Sequence, residues 1–246
     1  MIQDLHSHTY YSFCGADTPE EVVEAAINGG IELLGITDHH YGIGDGRTDV
    51  YLSTSQEIGN DYERTLRRYF DHISLIKEKY EGKIKILRGI EIGTLKQGRV
   101  PLPESADISF FDYCLIEHVD HMEKSITGGD LFAFAERLGC PAGVAHTDLF
   151  KVAKNVGEEP LRYFTKMAER GIFWEMNVNL DTIHGGHQHP YMLEFFDNEE
   201  QQEIIRRSGV RLSVGFDGHR VYDYKPERIA AYCKKISEMG IKLAYE

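Results

Sequence analysis

The sequence predicts an α/β fold built on a parallel sheet, which is either doubly wound or closed into a barrel. Short β-rich segments alternate with amphipathic helical segments about seven times, and such alternation is typical of parallel sheets. The chain has 246 residues, which is close to the roughly 250 residues of a (β/α) barrel. Because no proline-rich or serine-rich linker interrupts the alternation, we expect residues 1–246 to form a single domain.

The seven predicted strands are short segments rich in apolar and β-branched residues. They cover residues 2–5, 33–37, 84–92, 113–116, 142–145, 172–176 and 211–214.

The predicted helices lie between these strands. The first begins with Thr18 as its N-cap and a proline at the next position, Glu21 closes a capping box, and Gly29 ends it. A long helix over residues 62–80 places its apolar side chains on one face. The longest irregular stretch, at about 40–60, is typical of a lid or a binding loop. The remaining predicted helices cover residues 129–138, 159–170, 199–207 and 226–238.

The composition excludes several partners and compartments. The chain has 27 basic and 40 acidic residues and a net charge of −13, and a field of this sign repels long nucleic acid and anionic membranes. The four cysteines are scattered without a CxxC pair, and neither a secretory signal nor an apolar run of membrane-spanning length is visible. We therefore expect a cytoplasmic protein with small-molecule partners, and its oligomeric state stays open.

Ligand-type side chains follow or end six of the seven predicted strands, always at the carboxyl end. In a parallel sheet these ends converge on one face, where such folds hold their active sites. A lone strand-end histidine is more often structural, but the joint pattern predicts a centre of two or three zinc, manganese or iron ions. The residues of this pattern are His6, His8, Asp38, His39, His40, Glu91, His118, His146, Asp217 and His219.

These motifs, in this order, resemble those of the PHP (polymerase and histidinol phosphatase) family. The resemblance spans nearly the whole chain and implies a distorted, TIM-like (β/α)7 barrel that is a metal-dependent phosphoesterase with a trinuclear site. Among members of the family, the chain is most similar to the stand-alone histidinol-phosphatase type. The segments that carry the resemblance are Asp4-Leu5-His6-Ser7-His8-Thr9, Ile36-Thr37-Asp38-His39, Gly89-Ile90-Glu91, His118, His146 and Gly215-Phe216-Asp217-Gly218-His219.

The resemblance also implies ligands for each ion. The first ion would be held by His6, His8, Glu91 and Asp217. The second ion would share Glu91 as a bridge and add His118 and His146. The third ion would be held by His39 and His219. The family often adds a histidine or aspartate to the third ion, and the nearest positions here are Cys14 and then Asp17. A buried structural cysteine is the competing interpretation of Cys14.

Other residues are expected to support these ligands or the substrate. Asp38, Glu175 and Asn177 would hold ligands in place rather than bind ions. Arg220 is the best-placed candidate for the substrate phosphate, ahead of Arg47 and Arg99. Asp217, His219 or His39 would manage the proton. Three further histidines could rim the pocket, although a solvated loop is the favoured interpretation, and these are His184, His187 and His189.

We therefore expect a metal-dependent hydrolase of small phosphate monoesters that releases inorganic phosphate. A metal-bridging hydroxide would attack the phosphorus, and L-histidinol phosphate, an intermediate of histidine biosynthesis, is one candidate substrate. The alternatives are a phosphatase or diesterase acting on phosphotyrosine or nucleotides, and a non-catalytic module stabilised by metal.

Overall fold

The computed structural model describes residues 1–43, 55–97 and 101–246, with the backbone alone over 55–63. Seven parallel strands form one sheet in which each strand pairs with the next along the chain. The strands are β1 (Gln3–Asp4), β2 (Leu33–Ile36), β3 (Lys85–Gly93), β4 (Tyr113–Glu117), β5 (Ala142–Val144), β6 (Phe173–Asn177) and β7 (Leu212–Gly215).

The sheet curls until its first and last strands meet. The amide of Leu5 donates a hydrogen bond to the carbonyl of Val214 at 2.9 Å, and the amide of Asp217 donates to the carbonyl of His6 at 2.7 Å. The amide of His8 continues this pairing toward Gly218 at 2.8 Å. Of the two architectures that the sequence allowed, the structure is therefore the nearly closed (β/α)7 barrel, as the resemblance implied.

Helices pack around the barrel and connect its strands. The capping box at Thr18 and Glu21 is confirmed, and Gly29 is the C-cap. The long helix begins at Ser55, earlier than predicted, so the predicted loop over 40–60 is wrong in its last residues, and its central part lies outside the described residues. The helices are α1 (Pro19–Asn28), α2 (Ser55–Lys79), α3 (Leu131–Leu138), α4 (Leu149–Asn155), α5 (Pro160–Glu169), α6 (Pro190–Asp197), α7 (Glu199–Ser208) and α8 (Pro226–Glu238).

Two of these helices, α4 and α6, were not predicted. Each helix is only about two turns long, which is too short to show a clear helical periodicity of apolar residues. The α4 helix begins at Asp148, whose side chain accepts a hydrogen bond from the amide of Lys151. The α6 helix begins at Pro190, directly after the histidine-rich loop. Among the described residues, no helix is both long enough and apolar enough to cross a membrane.

The inside of the barrel is closed below the strand ends by a tyrosine. The Tyr113 hydroxyl donates a hydrogen bond to the carbonyl of Leu5 at 2.6 Å. Gly35 is required beside it, because a Cβ atom at this position would lie 1.8 Å from the same hydroxyl. The apolar residues that share this layer are Leu5, Leu33, Leu87, Tyr113, Leu115, Ala145 and Phe173. The polar side chains of the strand ends lie above this apolar layer, which we call the barrel floor.

We predict that Tyr113→Phe lowers the free energy of unfolding by about 1–2 kcal/mol, because a buried carbonyl loses its donor. The matched control is Tyr163→Phe, since the Tyr163 hydroxyl is buried and has no hydrogen-bond partner. Urea unfolding followed by circular dichroism checks both variants. Equal stability of the two variants would contradict a structural role for the Tyr113 hydrogen bond.

Candidate metal centre

The Glu91 carboxylate lies at the middle of the carboxyl end of the barrel and is fully buried. Its Oε1 atom lies 3.1 Å from His146 Nε2 and 3.4 Å from His6 Nε2. Its Oε2 atom lies 2.7 Å from His39 Nδ1 and 3.5 Å from His8 Nε2. Four imidazoles from distant parts of the sequence thus surround one carboxylate, as expected for a residue that bridges two ions.

The residues predicted for the first ion are brought together next to Glu91. Asp217 Oδ1 lies 3.1 Å from His8 Nε2 and 3.5 Å from His6 Nε2. The two Nε2 atoms of His6 and His8 are themselves 3.1 Å apart. Ligand atoms around a tetrahedral zinc ion are about 3.3 Å apart, so this spacing fits ligands of one ion.

The residues predicted for the second ion lie close to a glutamate that the sequence analysis missed. Glu117 ends β4, and its Oε2 atom lies 3.0 Å from His118 Nδ1 and 3.9 Å from His146 Nε2. Its Oε1 atom lies 3.7 Å from His39 Nδ1. The signal was present in the sequence, because Glu117 is two residues after the inward-facing Leu115 and therefore shares its face.

The residues predicted for the third ion include Cys14. One ligand atom from each of His8, Cys14, His39 and His219 lies within 4.8 Å of the others. The carboxylate of Asp17 contacts the backbone of another segment, because its Oδ2 atom accepts a hydrogen bond from the amide of Val221 at 2.7 Å.

Asp38 anchors the loop that carries these ligands. Its carboxylate accepts hydrogen bonds from the amide and hydroxyl of Thr9 and from the amide and hydroxyl of Ser12. Ser12 Oγ lies 3.0 Å from His8 Nδ1 and accepts a hydrogen bond from the amide of His39. Because the Ser12 hydroxyl donates to Asp38, it accepts from His8 Nδ1, and this leaves His8 Nε2 facing the centre without a proton.

Glu175 and Asn177 hold other ligands in the same manner. Glu175 Oε1 lies 2.8 Å from His6 Nδ1, and Glu175 Oε2 accepts the amide of His146 at 2.8 Å. The Asn177 side chain donates to Asp217 Oδ2 at 3.3 Å. A carboxylate at Nδ1 favours the proton there, so Nε2 is the nitrogen with which His6 faces the centre.

A second carboxylate and histidine pair, Asp181 and His184, was not predicted as part of the site. Asp181 Oδ1 accepts the amide of His184 at 2.9 Å and lies 2.8 Å from His184 Nδ1. Its Oδ2 atom is buried and lies 3.6 Å from His219 Nδ1. His184 Nε2 faces Asp217 Oδ2 at 3.8 Å. The loop after β6 therefore reaches the centre, in contrast with the favoured interpretation of a solvated loop for His184.

The predicted phosphate ligand Arg220 is exposed, and its guanidinium donates a hydrogen bond to the Tyr222 hydroxyl at 2.9 Å. Arg47 and Arg99 lie outside the described residues. In the same loop as His184, the ring of His189 stacks on that of His146 with centroids 5.7 Å apart. The residue that binds the phosphate therefore stays a prediction.

The electrostatics of the centre are those of buried carboxylates held ionised by imidazoles. Burial alone would raise the pKa of Glu91, but His39 and His6 hold it well below its ordinary value. Burial likewise opposes ionisation of Asp217, and His6 keeps its pKa well below the ordinary range. In return, Glu91 outweighs the effect of burial on His146 and raises its pKa to about 9.

The donor set fits divalent ions. The hydrogen bonds of His6 and His8 leave their Nε2 atoms facing each other 3.1 Å apart, a spacing that needs a shared cation or proton between them. Two buried carboxylate oxygens also have no hydrogen-bond partner, namely Glu117 Oε1 and Asp181 Oδ2. Buried polar atoms of this kind require an explanation, and imidazoles with carboxylates are the ligands of zinc, manganese and iron.

A parallel barrel that gathers imidazoles and carboxylates at its strand ends defines a TIM-like barrel with a candidate metal centre. The chain belongs to the PHP domain family, which matches residues 4–239. This confirms the resemblance drawn from the motifs.

Several known proteins are similar to this chain in sequence, and solved structures are similar to it in fold. The histidinol-phosphatase of Lactococcus lactis subsp. lactis (strain IL1403) is 27% identical over 112 residues, which are 46% of this chain and 37% of that protein. A "Probable phosphatase" of Caldanaerobacter subterraneus subsp. tengcongensis is 25% identical over 238 residues, which are 91% of this chain and 78% of that protein. The solved histidinol phosphate phosphatase from Lactococcus lactis, in complex with zinc, L-histidinol and phosphate, is 16% identical with a TM-score of 0.56, over 98% of this chain and 95% of that one.

We predict that Asp181→Asn weakens zinc binding at the His219 side of the centre by about 10–100-fold, because His184 loses the carboxylate that orients it and a negative charge 3.6 Å from His219 Nδ1 is removed. Competition with a zinc chelator measures this change. The matched control is Asp223→Asn in the neighbouring segment, because Asp223 accepts a hydrogen bond from the amide of Thr182. Identical zinc affinity in both variants would show that Asp181 does not act on the centre.

Proposed function

We propose that this protein is a metal-dependent hydrolase of small phosphate monoesters. The observation that carries the proposal is the buried Glu91 carboxylate, which lies within 3.5 Å of His6, His8, His39 and His146. Membership of the PHP family and the phosphatase names of two relatives support this reaction class.

The predicted ligand sets are retained in this proposal. His6, His8, Glu91 and Asp217 would hold the first ion, and Glu91, His118 and His146 would hold the second, with Glu117 as an added donor. When bound, such clustered divalent ions lower the pKa of water and neutralise charge on phosphate oxygens. The acidic net charge of −13 makes this neutralisation necessary before an anionic substrate can enter.

The residues around the ligands fix the protonation of the site. Glu175 keeps a proton on His6 Nδ1, and Asn177 donates to Asp217 Oδ2. Asp217, His219 and His39 stay the predicted groups for proton transfer. His184 joins them, because its side chain is 33% exposed while Nε2 faces Asp217. It can therefore exchange protons with solvent and still reach the centre.

L-Histidinol phosphate is the substrate that we test first. The name of the Lactococcus lactis relative supports it, as do the L-histidinol and phosphate bound in the structure of similar fold. The four free cysteines support a reducing, cytoplasmic location. Zinc is the ion bound in that structure, and manganese and iron are the other ions that these ligands accept.

The function is tested by measuring phosphate release from L-histidinol phosphate, p-nitrophenyl phosphate, phosphotyrosine and nucleoside monophosphates by zinc- or manganese-loaded protein. We expect selective release from L-histidinol phosphate. Selective release from another ester would keep the reaction class and change the substrate. If no ester is hydrolysed while ions are bound, the protein is a diesterase or a non-catalytic module instead.

We predict that Glu91→Gln lowers kcat/KM at least about 10²-fold, beyond the upper end of the loss caused by a residue that only supports a ligand. The number of ions bound per chain should fall with it, because an amide replaces the shared carboxylate. Glu169→Gln, at an exposed position of α5, is the control and should retain full activity. Metal analysis and phosphate release measure the two effects, and full turnover by Glu91→Gln would exclude a bridging role.

A further inference from the structure

Cys14 differs from the other three cysteines in its surroundings. Cys114, Cys140 and Cys233 are buried, whereas Cys14 is partly exposed. Burial raises the pKa of the Cys233 thiol to about 11. The Cys14 thiol, in contrast, makes side-chain hydrogen bonds with His219 and His39. Cys14 is therefore not an ordinary core cysteine.

A tight turn holds Cys14 in position. The amide of Gly15 donates to the carbonyl of Ser12 at 3.1 Å, and the amide of Ala16 donates to the carbonyl of His219 at 3.1 Å. Only glycine fits after Cys14, because a Cβ atom on Gly15 would lie 2.0 Å from the carbonyl oxygen of Thr9. The turn thus ties the cysteine to the same backbone segment that carries His219.

The thiol converges with the imidazoles of His39 and His219, and the ring of His8 lies beside them. His219 Nδ1 donates to the carbonyl of Asp217 at 2.8 Å, so the proton lies on Nδ1 and Nε2 is free to bind. The ring of His8 packs between its neighbours, with centroids 4.6 Å from His39 and 4.4 Å from His219. One donor atom from each of these residues and Cys14 lies within 4.8 Å of the rest. His8 Nε2 belongs to the set predicted for the first ion, so Cys14, His39 and His219 would supply three ligands of the third ion and leave its fourth position open. Ligand atoms of a tetrahedral zinc site with one sulfur are about 3.3–3.6 Å apart, so a small adjustment brings these three donors into place.

We infer that Cys14 binds the third ion as a thiolate and makes this position selective for thiophilic ions, above all zinc, over manganese and magnesium. Sulfur ligands favour zinc, whereas manganese and magnesium favour oxygen. The ion positions formed by Glu91 and Asp217 have no sulfur ligand, so they would accept manganese or iron as well as zinc. The inference rests on the proposed metal-dependent function and adds to it a sulfur ligand and the identity of one ion.

Cobalt(II) is the probe, because a cobalt–thiolate bond gives a near-ultraviolet charge-transfer band that cobalt bound to nitrogen and oxygen lacks. The experiment compares cobalt-loaded wild type, Cys14→Ser, Cys14→Asp and the control Cys233→Ser, in which a hydroxyl can replace the thiol that donates to the carbonyl of Gln3. We expect the band in wild type and in Cys233→Ser, and its loss in both Cys14 variants. A band that persists in Cys14→Ser, or that is missing from fully loaded wild type, overturns the inference.

Metal content gives a second readout. Under chelator competition, we expect zinc-loaded Cys14→Ser to retain one ion fewer per chain than wild type, and Cys14→Asp to accept one manganese more than wild type. Equal zinc and manganese occupancy in all variants overturns the selectivity.

Alkylation of the wild-type chain avoids any folding defect of the variants. Zinc should slow the reaction of Cys14 with iodoacetamide at least about tenfold, because the thiolate is the reactive form and the ion covers it. An unchanged rate at full zinc loading overturns the inference. These readouts do not involve phosphate esters, so a cobalt–thiolate band in a protein without phosphatase activity would refute the proposed function alone.

Discussion

The arrangement of this protein depends on the burial of the Glu91 carboxylate. An ion of this size loses several kcal/mol of hydration when it enters a protein interior, and only paired charges and hydrogen bonds restore it. Asp217 and Glu117 are buried beside it and lose hydration in the same way. The surrounding imidazoles compensate for the lost hydration, either because they are protonated or because they share bound cations with the carboxylates. Burial would lower the pKa of His6, but Asp217, Glu175 and Glu91 raise it well above its ordinary value.

The barrel satisfies this constraint because its inner face changes from apolar to charged side chains along the strands. Inward positions alternate with outward ones, and in three strands an apolar floor residue is followed on the same face by a carboxylate. These pairs are Leu87 and Glu91 in β3, Leu115 and Glu117 in β4, and Phe173 and Glu175 in β6. Because all strands are parallel and in sequence order, each change occurs at the same end. The apolar layer therefore supports the charged layer, and barrel closure brings His6 and Asp217 together from opposite ends of the chain.

This regularity explains which parts were predictable from the sequence. Predicted ligands directly after strands, such as His6 and His146, are positioned by strand direction alone, and the structure places them around Glu91. Glu117 was missed because the predicted strand ended one residue before it, which hid its inward register. Asp181 and His184 were missed because the path of a loop is set by contacts with distant residues, here Asp217 and His219, and not by any periodicity.

Backbone strain marks the same positions. His118, His146 and Asp217 have φ values of 61°, 24° and 55°, in the region that favours glycine. Each follows a strand of the barrel, and such conformations cost about 1–3 kcal/mol apiece. Glycine would remove this cost but supplies no imidazole or carboxylate. Under the proposed function, the strain is retained because these side chains would bind ions, and an ion that binds only the gathered ligands would stabilise the folded chain by mass action. Folding of the strand ends and assembly of the centre are, in this sense, one coupled equilibrium.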